Sequence, residues 1–457
     1  MSNPVKKKII FSIQVVLDAP LCIASGKSGL TDADVILDYD EKPFVPASSL
    51  AGAMRAYLQK DKNSRCLFGY SEGEEGKMSE LFLSDMEFKD GWKIQVRDGV
   101  ALDEKKTAVN GSKYDMQMIE AGAKAHFYAE LTIRKDNGTK KELHDAEEDY
   151  MKEVAAVLNG INSGIIRFGR KKTRGFGKMK LIQVNKVEFT ASNYLEYAKV
   201  YREKDIWSED VWKKRLEDGW SMWEEWQEQI ESPTAYLQLQ VPLSLQGGIS
   251  IRQYASKKGE PDFVQLVRRS CTTENEDATE SAVIPGSSMA GALKHRLKRI
   301  LYQLAANGLK IHVQEILDTM FGYVDDYASH ISMITIRESV IEGAIPLTVT
   351  RTGISRFESS ARKRSLFTEK TYVGGTLNLE ILIQKGIYED HQWMLGFLLL
   401  AIRDLQNGYL AVGGETAIGR GIFQKNGEIL LDGQPLQVDL MIAESLSVLA
   451  KKGGGQS

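Results

Sequence analysis

Alternating apolar and polar residues mark the strands that open each half of the chain. The run IIFSIQVVL from Ile9 and the run AYLQLQVPLSL from Ala235 place apolar side chains at nearly every second position. This pattern predicts β-strands with one buried face. Later strands are predicted from the runs AHFYAELTIR (Ala125–Arg134) and GTLNLEILIQ (Gly375–Gln384). Each half therefore contains two long predicted strands of the same kind.

A longer phrase is also written twice. FVPASSLAGAMRAYL begins at Phe44 and AVIPGSSMAGALKHRL begins at Ala282, and aligning their prolines matches a serine pair, a glycine–alanine pair and a cation. LFGY recurs as MFGY, and RDGVALD from Arg97 has a looser counterpart in RTGISRF from Arg351. The glycine clusters FGRKKTRGFGKM and VGGETAIGRGIF follow near the end of each half. Landmarks that recur in the same order predict an internal duplication.

Each half shows one order of elements: a strand, a loop, a helix begun by the Pro-x-Ser-Ser phrase, further strands, a second helix and a last strand. Serine is predicted at the N-cap of the first helix, and the second helices at about Asp145–Asn159 and Trp393–Gln406. This order predicts an α+β fold with two tandem ferredoxin-like domains. The predicted boundaries are 1–190 and 234–446 for the domains, 191–233 for a helical linker and 447–457 for a flexible tail.

Composition restricts the partners. The 457 residues carry 59 Lys+Arg and 62 Asp+Glu, a net charge of -3, so any surface for nucleic acid must be local. Three cysteines without CxxC spacing argue against a disulfide framework or a thiolate zinc site. The first apolar run is short for a signal peptide, and no run approaches the length of a membrane span. We expect a cytoplasmic protein without a membrane partner.

The linker is rich in tryptophan. Five of the seven tryptophans lie in it, and Trp220, Trp223 and Trp226 fall roughly on one helical face. Packing between the domains and a docking surface for a partner subunit both fit this pattern.

Catalytic motifs with a strong signature are missing from the sequence. It contains no Walker loop, HExxH or GxSxG, and its six histidines show no ligand pairing. Carboxylates remain in two loops, GLTDADVILDYD with Asp32 and Asp34, and KKGEPDFVQLVRR with Asp262. A loop carboxylate can position a divalent ion or a 2′-hydroxyl for RNA cleavage, although it also commonly forms an Asx-turn.

Cations cluster at two places. FGRKKTRGFGK mixes basic residues with glycines whose amides suit phosphates, and RTGISRFESSARKRSLF mixes them with phenylalanine, which suits stacking of single-stranded RNA. A solvated charged face is the competing interpretation.

The order of these motifs resembles the RAMP superfamily of CRISPR-associated proteins, and more closely the repeated backbone subunit of type III effector complexes. Two copies in one chain resemble the fused subunits of subtype III-D-like systems. The resemblance implies a modified RNA-recognition fold in each domain. It also implies a thumb β-hairpin inserted at about Arg97–Met118 and Arg351–Thr371. Implied partners are guide RNA, target single-stranded RNA, neighbouring backbone subunits and the large and small subunits of the complex.

The resemblance also implies site residues. The family's cleavage aspartate matches Asp32, with Asp34 as the rival register, and Asp262 in the second half. An insertion at Arg269–Ser281 makes the second match looser. The same two residues, Asp32 and Asp262, would hold a divalent ion, Mg²⁺ or Mn²⁺.

The remaining predicted contacts are to RNA. Helix N-termini at Ser48 and Ser287 would present amides to a phosphate, while Gly52 and Gly291 would permit either close approach of a backbone or tight helix packing. The predicted RNA-binding residues are Ser48, Ser49, Arg55, Lys105, Lys106, Lys113, Arg170, Lys171, Lys172, Arg174, Ser287, Ser288, Lys294, Arg351, Arg356, Arg362, Lys363, Arg364 and Arg420.

Three functions follow from these features. The first is a guide-bound subunit that cleaves target RNA, and the second is a purely structural guide-RNA scaffold. A guide-processing enzyme is disfavoured, because such a site calls for His or Tyr near the glycine cluster and neither cluster contains one.

Overall fold

The computed structural model describes residues 4–24, 31–58, 67–72, 75–101, 103, 107–134, 143–195, 197, 236–254, 261–269, 280–309, 311–324 and 328–454. Lys105, Lys106 and the linker tryptophans lie outside these residues, as does most of the insertion at Arg269–Ser281. The interpretations placed on the linker therefore stay predictions.

The first half folds around one antiparallel sheet. Its strands are ordered β10-β1-β9-β6-β2, and β5 pairs with the other end of β9. Helices α1 and α2 cover one face, since the odd positions of β1 from Ile9 to Leu17 are buried among them. The elements of this half are β1 (Val5–Leu17), β2 (Phe44–Val45), α1 (Ala47–Leu58), β3 (Tyr70–Glu72), β4 (Glu75–Lys77), β5 (Leu81–Leu83), β6 (Met86–Phe88), β7 (Ile94–Gly99), β8 (Tyr114–Ile119), β9 (Lys124–Arg134), α2 (Leu143–Asn162), a 3₁₀ turn (Lys172–Arg174) and β10 (Met179–Phe189).

The second half repeats the plan. Its main sheet is ordered β19-β23-β11-β25-β26, with β24 also on β11, and Phe397 and Leu398 of α6 are fully buried against it. The elements are β11 (Tyr236–Gln246), β12 (Gly248–Ile249), β13 (Arg252–Tyr254), β14 (Phe263–Gln265), β15 (Val267–Arg269), β16 (Glu280–Ile284), α3 (Gly286–Ala306), α4 (Val313–Phe321), β17 (Tyr323–Val324), β18 (Ser329–His330), β19 (Ile334–Ile336), β20 (Ser339–Val340), β21 (Ile345–Arg351), β22 (Phe367–Val373), β23 (Thr376–Gln384), α5 (Lys385–His391), α6 (Met394–Gln406), a 3₁₀ turn (Thr416–Ile418), β24 (Ile422–Lys425), β25 (Leu430–Leu431), β26 (Gln434–Pro435) and α7 (Val438–Gly454).

The two sheets share the ferredoxin-like strand order. Four strands of each half correspond to the four strands of that fold, in the spatial order 4-1-3-2: β10-β1-β9-β5 and β24-β11-β23-β19. All pairs are antiparallel, with helices α1 and α2, or α3 and α6, in the connections. The predicted α+β fold with two ferredoxin-like domains is therefore confirmed.

A β-hairpin is inserted into each half before the third strand of the sheet. In the first half β7 pairs with β8, and in the second β21 pairs with β22. These hairpins lie where the thumbs were predicted. The strand pairing shows that Arg97 and Arg351, which the sequence alignment matched, are not equivalent positions. Arg351 pairs with Phe367, the first residue of β22, whereas Tyr114, the first residue of β8, pairs with Gly99.

The predicted domain boundaries stay predictions. Helix α7 runs to Gly454, across much of the segment assigned to a tail. Among the described helices, none combines the length and the apolar character needed to cross a bilayer.

The two halves meet along the first glycine cluster and the first hairpin. Gly175 lies so close to Arg337 and Glu338 that an added Cβ would come within 2.9 Å of their backbones. A Cβ on Gly286, at the start of α3, would come within 2.6 Å of the Arg174 carbonyl. Between the hairpin and the second half, the Gln95 amide donates to Gln253 at 2.9 Å.

Candidate nucleic-acid interface

Asp32 lies beside the second strand of the first hairpin. The Asp115 backbone N–H donates to Asp32 Oδ2 at 3.2 Å, and the Asp32 N–H donates to Asp115 Oδ1 at 3.0 Å. Asp32 is exposed and Asp115 is half-buried. Two carboxylates therefore stand together at the surface, where the loop after β1 is held against β8.

Asp262 occupies the corresponding position in the second half. The Thr368 backbone N–H donates to Asp262 Oδ2 at 2.8 Å, and Asp262 is exposed. Thr368 is the second residue of β22, as Asp115 is the second residue of β8. The two predicted cleavage residues thus make one contact in common, although the second site has a threonine where the first has a carboxylate.

Asp34, the rival of Asp32, is only 6% exposed. Its Oδ1 accepts hydrogen bonds from the Thr31 N–H at 3.1 Å and the Thr31 hydroxyl at 2.6 Å. This is a turn that fixes the loop, so Asp34 shapes the position of Asp32 without reaching the surface.

A cation and an aromatic ring adjoin each exposed aspartate. In the first half the Lys171 ammonium lies 3.6 Å from the centroid of Tyr114, the neighbour of Asp115. In the second half the Arg252 guanidinium lies 4.0 Å from the ring of Phe263, which packs edge-on against Phe367. Such pairs suit phosphates and unstacked bases.

The two glycine clusters share one backbone. The Phe168 N–H donates to the Gly177 carbonyl, and the Val412 N–H donates to the Gly421 carbonyl. Lys171 and Glu415 both have φ of 56°. The gapless alignment of the clusters is therefore confirmed, and it places Glu415 of the second half where the first half has Lys171.

Arg420 is buried instead of facing RNA. It is 6% exposed, and it pairs with Glu369 at 2.9 Å and with Glu415 at 2.8 Å. It also donates to the Thr371 hydroxyl at 2.9 Å. The assignment of Arg420 to RNA contact is therefore corrected, because its guanidinium is buried and forms ion pairs within the second half. Burial also raises the pKa of Glu369.

Four of the predicted RNA-binding cations of the second half lie at the tip of its hairpin, between β21 and β22. Phe357 stands among them fully exposed. Arg351, the last residue of β21, is half-buried and lies 3.8 Å from Glu415. The exposed cations of the tip are Arg356, Arg362, Lys363 and Arg364.

The cations of the first half are spread along the glycine cluster. Arg170 and Lys172 are exposed, and Lys171 and Arg174 are half-buried. Lys113 is exposed on the hairpin of this half, just before β8.

The helix starts differ from the prediction of a serine cap. Pro285 is the N-cap of α3, and Pro46 precedes α1, so Ser48 is the second residue of its helix. The predicted serine N-cap is wrong, and the N–H of Ala47 is already taken by the Asp85 carboxylate at 2.7 Å. Ser48 and Ser49 are exposed, and Ser287 and Ser288 are half-buried; their contacts to RNA stay predictions.

Open space surrounds the glycines that follow the serines. A Cβ at Gly52 or Gly291 would meet nothing within 4 Å. Tight helix packing therefore does not explain them. Arg55 is exposed nearby, and Lys294 is half-buried over the Phe321 ring at 5.8 Å. Burial lowers the pKa of Lys294, and Arg174 of the other half contributes to the same shift.

The described residues contain no group of three or more His, Cys, Asp or Glu side chains placed to hold a metal ion. Asp32 and Asp115 are a pair, and Asp262 has a threonine beside it. Sequence analysis missed Asp115 and Thr368 because each meets its aspartate across a long sequence separation, 83 residues for Asp115. The signal that could have found them was the register of the predicted hairpin.

Comparison with known proteins identifies one family. The model of the RAMP superfamily matches residues 15–180 and 271–424, one region in each half and together more than half of the chain. A search of curated proteins gave no significant match.

Proposed function

The chain belongs to the RAMP superfamily, which makes it a CRISPR-associated RNA-binding subunit, and from this we propose that it is the backbone subunit of a type III effector complex. In this role it binds guide RNA and cleaves complementary single-stranded RNA at Asp32 and Asp262. Neighbouring backbone subunits and the large and small subunits are its proposed partners.

One observation carries the proposal: the shared placement of the two aspartates. Each accepts a hydrogen bond from the second residue of a hairpin's second strand, and each is exposed. A carboxylate needed only for folding would not have to reach the surface in both copies. The hairpin that anchors it is also the element that, in the proposed role, displaces a nucleotide of the target.

The chemistry needs few groups. A displaced nucleotide can rotate its 2′-hydroxyl in line with the next phosphate. The 2′-oxygen then bonds to phosphorus, the bond to the 5′-oxygen breaks, and the leaving oxygen takes up a proton. Asp32 orients the 2′-hydroxyl or accepts its proton, while Lys171 offsets phosphate charge and Tyr114 offers a stacking surface.

A divalent ion, Mg²⁺ or Mn²⁺, fits the first site better than the second. Asp32 and Asp115 supply two carboxylates, the ligands such ions prefer, and waters and RNA phosphates complete the shell in many sites. When bound, the ion would stabilise negative charge on the phosphate. Asp262 would hold it alone, so we expect the first half to cleave faster.

The test uses the assembled complex and a labelled target RNA. Asp32→Asn and Asp262→Asn are each expected to remove one set of cuts, by about 100-fold or more if the carboxylate acts as base. Asp40→Asn, an exposed carboxylate of the same loop, is the matched control and should leave all cuts.

A non-catalytic scaffold is the second candidate. It is favoured for the second half in particular, because Asp262 has a threonine beside it where Asp32 has a second carboxylate. If both asparagine variants bind guide and target RNA and keep every cut, cleavage belongs to another subunit and the scaffold function stands.

A further inference from the structure

A buried arginine lies unpaired between the two halves. Arg167 is 6% exposed, and no carboxylate of the described residues forms an ion pair with it. Its Nε donates to the Gly164 carbonyl at 2.9 Å and its Nη1 to the Lys172 carbonyl at 3.2 Å. Its Nη2 is buried and has no hydrogen-bond partner. A buried guanidinium in this state is costly.

The nearby carboxylates are committed to other cations. Asp18 pairs with Lys178 at 2.5 Å, and Glu380 pairs with Arg337. Burial, together with the charge of Arg337, lowers the pKa of Arg167 to about 10. These two carboxylates are therefore already paired, and no ion pair among the described residues offsets the charge of Arg167.

Arg167 lines a cavity of about 110 Å³. Its polar lining residues are Arg167, Lys172 and Thr173 of the first half and Tyr236 and Thr335 of the second. Gly164, Ile165 and Leu382 complete the lining. Lys172 and Thr173 are exposed, so they mark its mouth, while Thr335 is buried. The volume corresponds to about four waters at roughly 30 Å³ each, far below the roughly 300 Å³ of a pocket for a drug-sized ligand.

We propose that this cavity binds a phosphate oxyanion, with Arg167 as the charged donor and the hydroxyls of Thr335, Tyr236 and Thr173 around it. A tetrahedral oxyanion fits the space, whereas a nucleoside does not. Its negative charge would offset the positive charge of Arg167. The phosphate could belong to RNA or be inorganic.

The duplicated half shows that the turn does not need this arginine. The aligned glycine clusters place Ala411 at the position of Arg167. The second copy forms the same turn, with Val412 bonded to Gly421 as Phe168 is to Gly177. The arginine is therefore a property of the junction and not of the fold.

The test titrates inorganic phosphate into the full-length chain freed of RNA, at constant ionic strength, and follows heat of binding and melting temperature. The wild type should show a saturable rise. Arg167→Met should lose it, with affinity weaker by about tenfold or more, and should melt no lower without phosphate. Thr335→Val, an isosteric change, should weaken binding by a smaller factor, and Arg299→Met, which removes an exposed cation of α3, should match the wild type.

Short RNAs with a 5′-phosphate or a 5′-hydroxyl identify the source. If only the phosphorylated RNA abolishes the response to inorganic phosphate, the site takes a terminal phosphate. Competition by both identifies a backbone phosphate, and competition by neither identifies free phosphate. The proposal is overturned if the wild type shows no saturable response, or if Arg167→Met keeps it. If the wild type does not respond to inorganic phosphate and Arg167→Met melts at a lower temperature, the role of Arg167 is structural. None of these outcomes depends on cleavage at Asp32 or Asp262.

Discussion

Replacing Arg97 tests what holds the two halves together. Its guanidinium is 4% exposed and lies between two carboxylates of different halves. Nη1 donates to Glu338 at 2.5 Å and Nη2 to Glu120 at 3.3 Å. Arg97→Met removes this charge and leaves both acids buried, and losing one partner of a buried ion pair costs about 3–5 kcal/mol.

The cost should depend on pH. Burial raises the pKa of Glu120 even with Arg97 beside it, and Arg97 opposes that rise. Without Arg97 the folded-state pKa rises further, whereas the unfolded value is unchanged. A carboxyl whose folded pKa is raised binds its proton more tightly when folded, so the variant loses stability as pH rises above the unfolded pKa of about 4.3. The deficit relative to the wild type should therefore be smaller at pH 5.5 than at pH 8.

The assay is urea unfolding at both pH values, with fluorescence and circular dichroism followed together because two domains need not unfold in one step. Arg403→Met is the matched control, since Arg403 pairs with the almost fully exposed Asp439 and such pairs contribute about 0–1 kcal/mol. The reasoning fails if Arg97→Met costs no more than Arg403→Met, or if its deficit does not change with pH.

Other predictions address the RNA surface and the second half. Phe357→Ala should weaken RNA binding by about 1–3 kcal/mol, the contribution of one stacked base, with an unchanged salt dependence in filter binding. Gly52→Leu should stabilise α1 by about 0.5–1 kcal/mol yet weaken RNA binding, whereas Gly386→Leu in the exposed part of α5 should leave RNA binding unchanged. Arg420→Met should cost about 3–5 kcal/mol in denaturant unfolding because it leaves Glu369 buried without its partner. An unchanged unfolding midpoint would contradict this.

Local patterns were enough to predict the scaffold. The alternation in β1 and β11 indicates a strand with one buried face, and both strands have a neighbour on each side in their sheets. The glycine clusters could be aligned because Gly177 and Gly421 have φ of 73° and 69° and would clash with a backbone carbonyl if they carried a Cβ. Such backbone requirements act on single residues, so they appear directly in the sequence.

Contacts between distant segments were not predictable in this way. The serine cap failed because Asp85, 38 residues after Ala47, takes the amide at the start of α1. The sequence predicts Arg420 to be a surface cation of a glycine-rich loop. In the structure it is buried and donates to Glu369, which is 51 residues away in the sequence. Partner choice of this kind depends on the tertiary fold, which no local window of residues contains.

Comparison of the two copies explains why Arg420 of the second glycine cluster was wrongly predicted to contact RNA. The shared backbone places Phe176 at the position of Arg420, and the hairpin contacts place Met116 and Met118 at those of Glu369 and Thr371. In the first half these residues form one buried apolar cluster with Cys22 and Ala33; in the second they form a buried ion-pair network.

Exchange of a buried ion pair for apolar residues of similar volume is often neutral or stabilising. The apolar cluster of the first half and the ion-pair network of the second can therefore each hold a hairpin in place. The exchange also moves charge. With Glu415 in place of Lys171, the second cluster is no longer basic, and a group of four exposed cations lies at the hairpin tip instead. The two copies therefore present different surfaces on one backbone, and a strand of RNA that crosses both should meet its cations beside the glycine cluster in the first half and along the hairpin in the second.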